Sequence, residues 1–303
     1  MNLEGIHHVT CITGDAPQNV EYYAGTLGLR LVKKSVNQDD PTVYHLFYAD
    51  EKGDPGSDIT FFEYPGATPG RAGAGMVHEI AWRVASDEAL EFWADRLEGA
   101  EREDGALRFR DPEGLAQVMR IVQTDDEPLV ADHPEIPREL ALQGFDGVRA
   151  YAADPEQSRR FFEETLGFRR DGDTAWDVRG EKRGSFYAFD APPSEHGIPG
   201  AGTVHHVAWA SLYDEEDAWR QRVEAAGARP TPIIDRFYFK SVYFREPSGV
   251  LFEIATIGPG FTADEPLEHL GEKLSLPPDY EHLRDRLEPV LTPLPDPRPA
   301  RTA

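Results

Sequence analysis

Four short segments of the chain begin alike, and their spacing limits the possible folds more than any other feature. They read "GIHHVTCI" from residue 5, "MVHEIAWRV" from 76, "GFDGVRAY" from 144 and "TVHHVAWA" from 203. Each is rich in β-branched or aromatic residues, as strands are. Each is followed by a stretch whose apolar residues recur three or four apart, over 16–29, 87–100, 154–168 and 214–228. Asp87, Asp154 and Asp214 open three of these stretches, where a negative charge suits a helix amino end.

Each unit then returns to strands. Three do so through a tight turn, in "GDPGSDITFFEY" from 53, "RDPEGLAQVMRIV" from 110 and "REPSGVLFEIATI" from 245. Pro and Gly supply the turn and the apolar run after it supplies a buried strand. The third unit is more divergent, with "GEKRGSFYAFDAP" in that place. The predicted fold class is therefore α+β, with four βαβββ modules at about 1–68, 74–124, 144–191 and 202–258. Two module pairs, 1–124 and 144–260, are separated by a linker at 125–143 and followed by a Pro-rich tail at 261–303. Within the tail, "DYEHLRDRLEPVL" predicts a short amphipathic helix through Leu283, Leu287 and Val290 that caps the fold or packs at a subunit boundary.

With 303 residues the chain has room for about two domains and a sizeable core. No run approaches the ~20 apolar residues of a membrane helix, and "MNLEGIHHVT" lacks the basic and apolar regions of a signal peptide. A single cysteine, Cys11, excludes an intramolecular disulfide and a cysteine-rich zinc site, so the expected setting is the reducing cytoplasm. The net charge of −24 disfavours nucleic acid, whose phosphates are bound by excess Lys and Arg. Only six of the 31 basic residues are lysine. Such an acid-rich, Lys-poor surface is common in high-salt cytoplasm, and equally in an acidic protein with Arg-biased codon usage. Expected partners are small molecules and further copies of the chain, in a homo-oligomer, with no membrane.

The four-module pattern resembles the vicinal oxygen chelate superfamily of glyoxalases, bleomycin-resistance proteins and extradiol dioxygenases. Within it, the blocks "GIHHVT", "LGLRLVKKSVNQDDPTVYHLFYADEKGDPGSDITFF", "HHVAW" and "DRFYFKSVYFREPSGVLFEIATIGPGF" are similar to the hydroquinone-type ring-cleaving dioxygenases, over nearly the whole chain. The resemblance implies two open-barrel domains. It also implies an Fe(II) cofactor, with Mn(II) as the alternative, and a small aromatic diol and O2 as substrates.

The residues can be read independently. A non-haem iron oxygenase needs two neutral imidazoles and a carboxylate on one face of the ion, leaving positions open. His8 and His206 stand at equivalent module positions, each followed by Val, and Glu253 lies in the otherwise apolar "GVLFEIAT", where an ionised carboxylate is costly without a cation. These three are the predicted metal ligands. If so, modules one and four share the metal-holding barrel, because modules two and three carry Glu79 and Gly147 at the histidine position. The competing reading makes the histidines structural and pairs Glu253 with Arg236 or Arg245. Strict strand alternation would turn His7 and His205 away from the ligands. The resemblance instead places both beside the ligand set, where they could carry protons. Tyr243, ten residues before Glu253, could hydrogen-bond bound substrate or oxygen, or be a core aromatic. Arg236 could stabilise developing anionic charge, or form a plain salt bridge. Thr10 lies two residues from His8 on the same face and could touch the oxygen pocket, or be a β-former. Among Phe237, Tyr238, Phe239, Phe244 and Phe252, one or two could wall a flat ring. His45, His78, His133, His196, His269 and His282 are assigned to structure or surface.

Two other classes compete. A glyoxalase-type isomerase uses a fourth protein ligand, for which Glu63 is the candidate. Aligning the turns through Pro55 and Pro247 puts Phe61 opposite Glu253 and Glu63 two residues beyond, which favours three ligands. A non-catalytic binding protein needs no His, His, Glu set.

Overall fold

The computed structural model describes residues 1–296, so the last seven residues of the predicted tail lie outside the described residues. Module one comprises β1 (Ile6–Thr13), α1 (Ala16–Val20), β2 (Arg30–Asn37), β3 (Asp40–Ala49) and β4 (Asp58–Glu63). Module two comprises β5 (Val77–Val84), α2 (Asp87–Arg96), β6 (Glu101–Glu103), β7 (Ala106–Arg110) and β8 (Ala116–Ile121). Module three comprises β9 (Phe145–Tyr151), α3 (Glu156–Arg160), β10 (Arg169–Arg170), β11 (Ala175–Arg179) and β12 (Gly184–Asp190). Module four comprises β13 (Thr203–Ser211), α4 (Glu216–Ala225), β14 (Ile234–Asp235), β15 (Lys240–Arg245) and β16 (Leu251–Thr256). The predicted α+β class, built from four βαβββ modules, is the observed one.

The helices are shorter than their apolar periodicity suggests. α1 and α3 widen into π turns at Glu21–Thr26 and Phe161–Leu166, and α2 and α4 end at Arg96 and Ala225. Side chains cap two of the amino ends: Asp15 Oδ1 accepts from the Gln18 amide at 3.0 Å and Ser86 Oγ from that of Ala89 at 3.3 Å.

Two eight-stranded sheets result. The first runs β14-β15-β16-β13-β1-β4-β3-β2 and the second β10-β11-β12-β9-β5-β8-β7-β6. Modules one and four thus form one sheet although they lie at opposite ends of the chain, joined by the antiparallel pair β1 and β13. Their opposite faces are filled by a core that includes all five tryptophans. Tyr23 ties the sheets together. It packs on Tyr48 and Phe61 of the first sheet, donates to Asp111 at 2.9 Å and accepts from Gln117 Nε2 at 2.9 Å beside the second.

Strict alternation fails at one residue in each module's first strand. Ile6 pairs with Trp209 and His8 with Ala208, so His7 is an extra residue; Thr10 pairs with His206 and Cys11 with Val204, so His205 is another. His78 and Asp146 are the extra residues in the second sheet. A β-bulge of this kind bends the strand and re-aims its side chains. His7 and His205 are therefore not simply turned to the opposite face, as unbroken alternation required.

The region 125–143 is more than a linker in its packing. It has neither helix nor extended strand, yet it buries Val130, Ile136 and Leu142. Beyond residue 260 the chain crosses β2. Gly271, at φ +76°, passes so close that a Cβ there would lie 1.9 Å from the Leu31 carbonyl oxygen. Lys33, fully buried on β2, is held by Asp264 at 2.7 Å, by Glu265 and by the Phe261 carbonyl at 3.2 Å. The predicted tail helix is only one turn of α5 (Arg284–Leu287) after a 3-10 turn. Leu287 is buried, but Val290 is exposed because the helix ends before reaching it, and Leu291 takes the inner place. No helix among the described residues is long and apolar enough to cross a membrane.

Candidate metal centre

The concave face of the first sheet brings together side chains from strands far apart in sequence. His8 comes from β1, His206 from β13 and Glu253 from β16, and all three are buried. His8 Nε2 lies 3.3 Å from His206 Nε2 and 3.2 Å from Glu253 Oε2, and His206 Nε2 lies 2.8 Å from the same oxygen. Ligands about 2.1 Å from one ion and at right angles around it would be separated by about 3.0 Å. Among the described residues, these three form the group of His, Cys, Asp or Glu side chains able to hold a metal ion.

The electrostatics agree with that geometry. Glu253 is fully buried and its carboxylate has no well-formed hydrogen bond. Burial alone would raise its pKa, but His8 and His206 hold it well below the usual carboxylate range. An ionised, buried acid faced only by two imidazoles is the setting that a cation resolves. Burial lowers the pKa of His206, which keeps the imidazole neutral and able to coordinate. The donor set of two imidazoles and a carboxylate fits a divalent first-row metal.

The bulges make the adjacent histidines partners of the ligand pair. His7 Nδ1 lies 3.0 Å from His8 Nδ1, and His205 Nδ1 lies 2.8 Å from His206 Nδ1. Burial, and then the neighbouring His8, lower the His7 pKa to about 3. Although His205 is partly exposed, desolvation of its ring, followed by His206, lowers its pKa to about 4. Each neutral ring can accept a proton held on Nδ1 of the adjoining histidine, which directs that histidine's Nε2 toward the centre.

Of the other predicted residues, Tyr243 and Arg236 line the cavity beside the ligand pair, whereas Thr10, His205 and His7 do not border it. Tyr243 is the direct cross-strand partner of Glu253 and packs edge-on to His206 at 5.5 Å. The Arg236 guanidinium lies 5.6 Å from the Tyr243 ring centre and donates to Asp39 at 3.0 Å. Both residues line the cavity with His8 and His206. Burial, then the charge of Glu253, push the Tyr243 hydroxyl pKa upward, so it remains a proton donor. Thr10, paired with His206, forms a 2.8 Å hydrogen bond with the Thr60 hydroxyl. His7 borders a separate cleft with Tyr238, Phe239 and Phe261.

His45, whose sequence setting gives no sign of a site, lines this cavity together with Asn37, Gln38 and Phe62. Its place was hidden because β3 and β4 reach the concave face by sheet curvature, which a single strand pattern does not carry. Of the aromatic run, Tyr238 and Phe239 wall the cavity, whereas Phe244 and Phe252 enter the core. Phe237, just before them, has φ +74°, an uncommon backbone for a bulky side chain.

Glu63 is not near the ligands. Its carboxylate accepts from Thr292 Oγ1 at 2.7 Å, and it sits three residues beyond Thr60, on the other strand face. The expected pairing of Phe61 with Glu253 is off by one. Thr10 pairs with Thr60 on β4, and its counterpart Ala208 pairs with Glu253 on β16, so Thr60 occupies the equivalent place. The turn before β4 spends one residue fewer before entering the strand.

The profile of the Glyoxalase/Bleomycin resistance protein/Dioxygenase superfamily matches residues 5–128 and 144–254, nearly the whole of both module pairs. The chain belongs to this superfamily. It is 38% identical to a Bacillus subtilis protein named "Putative ring-cleaving dioxygenase MhqA", over 97% of this chain and 100% of the relative. It is 33% identical to "Chlorohydroquinone/hydroquinone 1,2-dioxygenase" of Sphingobium indicum, over 94% of this chain and 95% of the relative. A solved Bacillus subtilis structure titled as a putative dioxygenase superposes with a TM-score of 0.90 at 37% identity, covering 97% of this chain and 98% of that one. Glyoxalase I from Zea mays shares the fold alone, at 16% identity and a TM-score of 0.58, over 86% of this chain and 93% of that one.

Proposed function

We propose that the chain is an Fe(II)-dependent dioxygenase that opens the ring of a hydroquinone-type aromatic diol, with Mn(II) as the alternative metal. The observation that carries this reading is the three-residue ligand set His8, His206 and Glu253, with Thr60 where a fourth carboxylate would complete a closed, isomerase-like set. The names of the similar proteins support ring cleavage as the reaction and hydroquinones as the substrate class.

When bound, the ferrous ion would supply a site at which diol and O2 are held together and electrons pass from ring to oxygen. The chain's own residues do the rest. His7 and His205 fix the rings of His8 and His206 through their Nδ1 atoms. Tyr243 is placed to hold a proton at its hydroxyl beside the substrate oxygen, and Arg236 to offset anionic charge developing there. Thr10 holds the Thr60 hydroxyl beside the ligand set through a 2.8 Å hydrogen bond. Phe239, at 5.2 Å from His8, presents an apolar ring that excludes water from the ligand side.

The test is anaerobic reconstitution with Fe(II), followed by an oxygen electrode with hydroquinone, chlorohydroquinone, methylhydroquinone and catechol. Uptake with a diol, and loss of both bound iron and uptake in Glu253→Ala, are expected. Full iron occupancy in Glu253→Ala overturns the ligand set. Thiol-adduct isomerisation without oxygen uptake would move the isomerase reading ahead.

A further inference from the structure

His45 lines the cavity from β3, next to the hydroxyl that stands in the place of a fourth ligand. In the sheet order β13-β1-β4-β3, its strand lies two places from β1, a lateral step of about 9.6 Å before the sheet curls. The ring is clamped between Phe47, with centroids 3.9 Å apart, and Phe62, at 4.4 Å. Its Nε2 is tied to Thr60 Oγ1 at 2.9 Å, and Thr60 is tied in turn to Thr10 Oγ1 at 2.8 Å. Ring position and orientation are both fixed by this arrangement. Among the described residues, Nδ1 has no hydrogen-bond partner, and the half-buried ring borders the cavity that His8, His206, Arg236 and Tyr243 also line.

A rigid imidazole that lines a cavity, with one nitrogen satisfied and the other without a partner, offers a hydrogen-bond site for a ligand oxygen. A diol with one oxygen at the ligand set extends its second oxygen farthest toward His45 when the two lie at opposite ends of the ring. Catechol, with hydroxyls on adjacent carbons, leaves this nitrogen without a partner. We infer that His45 is a specificity-determining residue that hydrogen-bonds the distal hydroxyl of a para-diol and so selects hydroquinones over catechols. The inference rests on the reading of the centre as diol-cleaving. It also assigns Thr60 two tasks, since its hydroxyl orients His45 from the place where a fourth ligand would stand. Burial, followed by the charges of His8, His206 and Arg236, keeps the imidazole neutral. In one tautomer Nδ1 accepts from the distal hydroxyl, and in the other it donates to the same oxygen.

The experiment compares anaerobic binding of hydroquinone and phenol to the Fe(II)-loaded protein by calorimetry, for the parent chain, His45→Phe and His45→Gln. Phenol lacks the distal oxygen and reports everything except this contact. His45→Phe should keep its iron and its affinity for phenol, and bind hydroquinone about tenfold more weakly, as loss of one buried hydrogen bond predicts. His45→Gln, which keeps donor and acceptor atoms, should recover part of the difference. In turnover, the ratio of kcat/KM for hydroquinone to that for catechol should fall by a similar factor in His45→Phe. Equal weakening of phenol and hydroquinone, loss of iron, or no change in either ligand overturns the inference. Absence of oxygen uptake by the parent chain with every diol would instead overturn the dioxygenase reading, while the phenol comparison would still report on His45.

Discussion

Thr60 and Glu253 occupy equivalent places in the first and fourth modules, one facing Thr10 and the other Ala208 across parallel strands. The pseudo-symmetric fold thus offers four positions around one point, and the chain fills three with donors and the fourth with a hydroxyl tied to Thr10 and His45. That choice leaves one side of an ion accessible to other ligands, which oxygen activation needs.

Thr60→Glu should therefore supply the missing fourth ligand. We expect the variant to bind divalent metal at least as tightly as the parent, by calorimetric titration, and to lose oxygen uptake. Retention of full uptake with the new carboxylate in place would show that the fourth position is not where substrate or oxygen must enter.

Tyr243→Phe and Arg236→Ala should keep iron and lose turnover by about 10–100-fold, the range for residues that act on the groups around a metal without coordinating it. Metal content by elemental analysis and kcat from oxygen uptake separate the two readouts. Because Arg236 also pairs with Asp39, which is largely exposed, Asp39→Asn should have the smaller effect. Loss of metal in both Tyr243→Phe and Arg236→Ala would recast these side chains as structural supports.

The repeat was legible because each module repeats the same local chemistry: a β-branched opening strand, a short amphipathic helix and a Pro-Gly turn before an apolar strand. The donors His8, His206 and Glu253 were legible because their residue types sit at matching positions of that repeat, and a carboxylate in "GVLFEIAT" contradicts its apolar surroundings. Local pattern could not reveal the bulges at His7 and His205, because an extra residue is set by pairing with a partner strand nearly two hundred residues away. The same limit hid Thr60, where a turn shorter by one residue changed the register, and His45, which reaches the site through sheet curvature. The tail helix failed for a different reason. Its apolar spacing is real, but Pro289 follows within two residues of Leu287, and the chain turns before Val290 can join the buried stripe.

Glu63→Gln should leave iron affinity within about threefold, against the 10–100-fold loss expected of a residue that touches the ligand set. The side chain serves the tail instead, through its bond with Thr292 Oγ1 at 2.7 Å. Glutamine can still accept that hydrogen bond, so oxygen uptake should persist. Stripping of the metal by this change would return Glu63 to the centre and favour the isomerase reading.

Asp111 gives the chain a pH dependence opposite to ordinary acid unfolding. Burial raises its pKa from 3.8 to about 6, against the hydrogen bonds it accepts from the Leu115 amide and the Tyr23 hydroxyl. The folded state therefore binds a proton more tightly than the unfolded chain does. The stability from that proton is fully present below about pH 4 and is lost as pH rises through about 6. At about 1.4 kcal/mol per pH unit the difference is at most about 3 kcal/mol. Asp111→Asn cannot ionise, so its urea midpoint relative to the parent should improve between pH 4.5 and pH 7. The variant can be less stable than the parent at the lower pH, because an amide replaces the protonated acid against Tyr23, but the gap should narrow or reverse at the higher one. A gap that stays constant across this range would show that Asp111 titrates alike in the folded and unfolded chains, and that its burial beside Tyr23 carries no ionisation penalty.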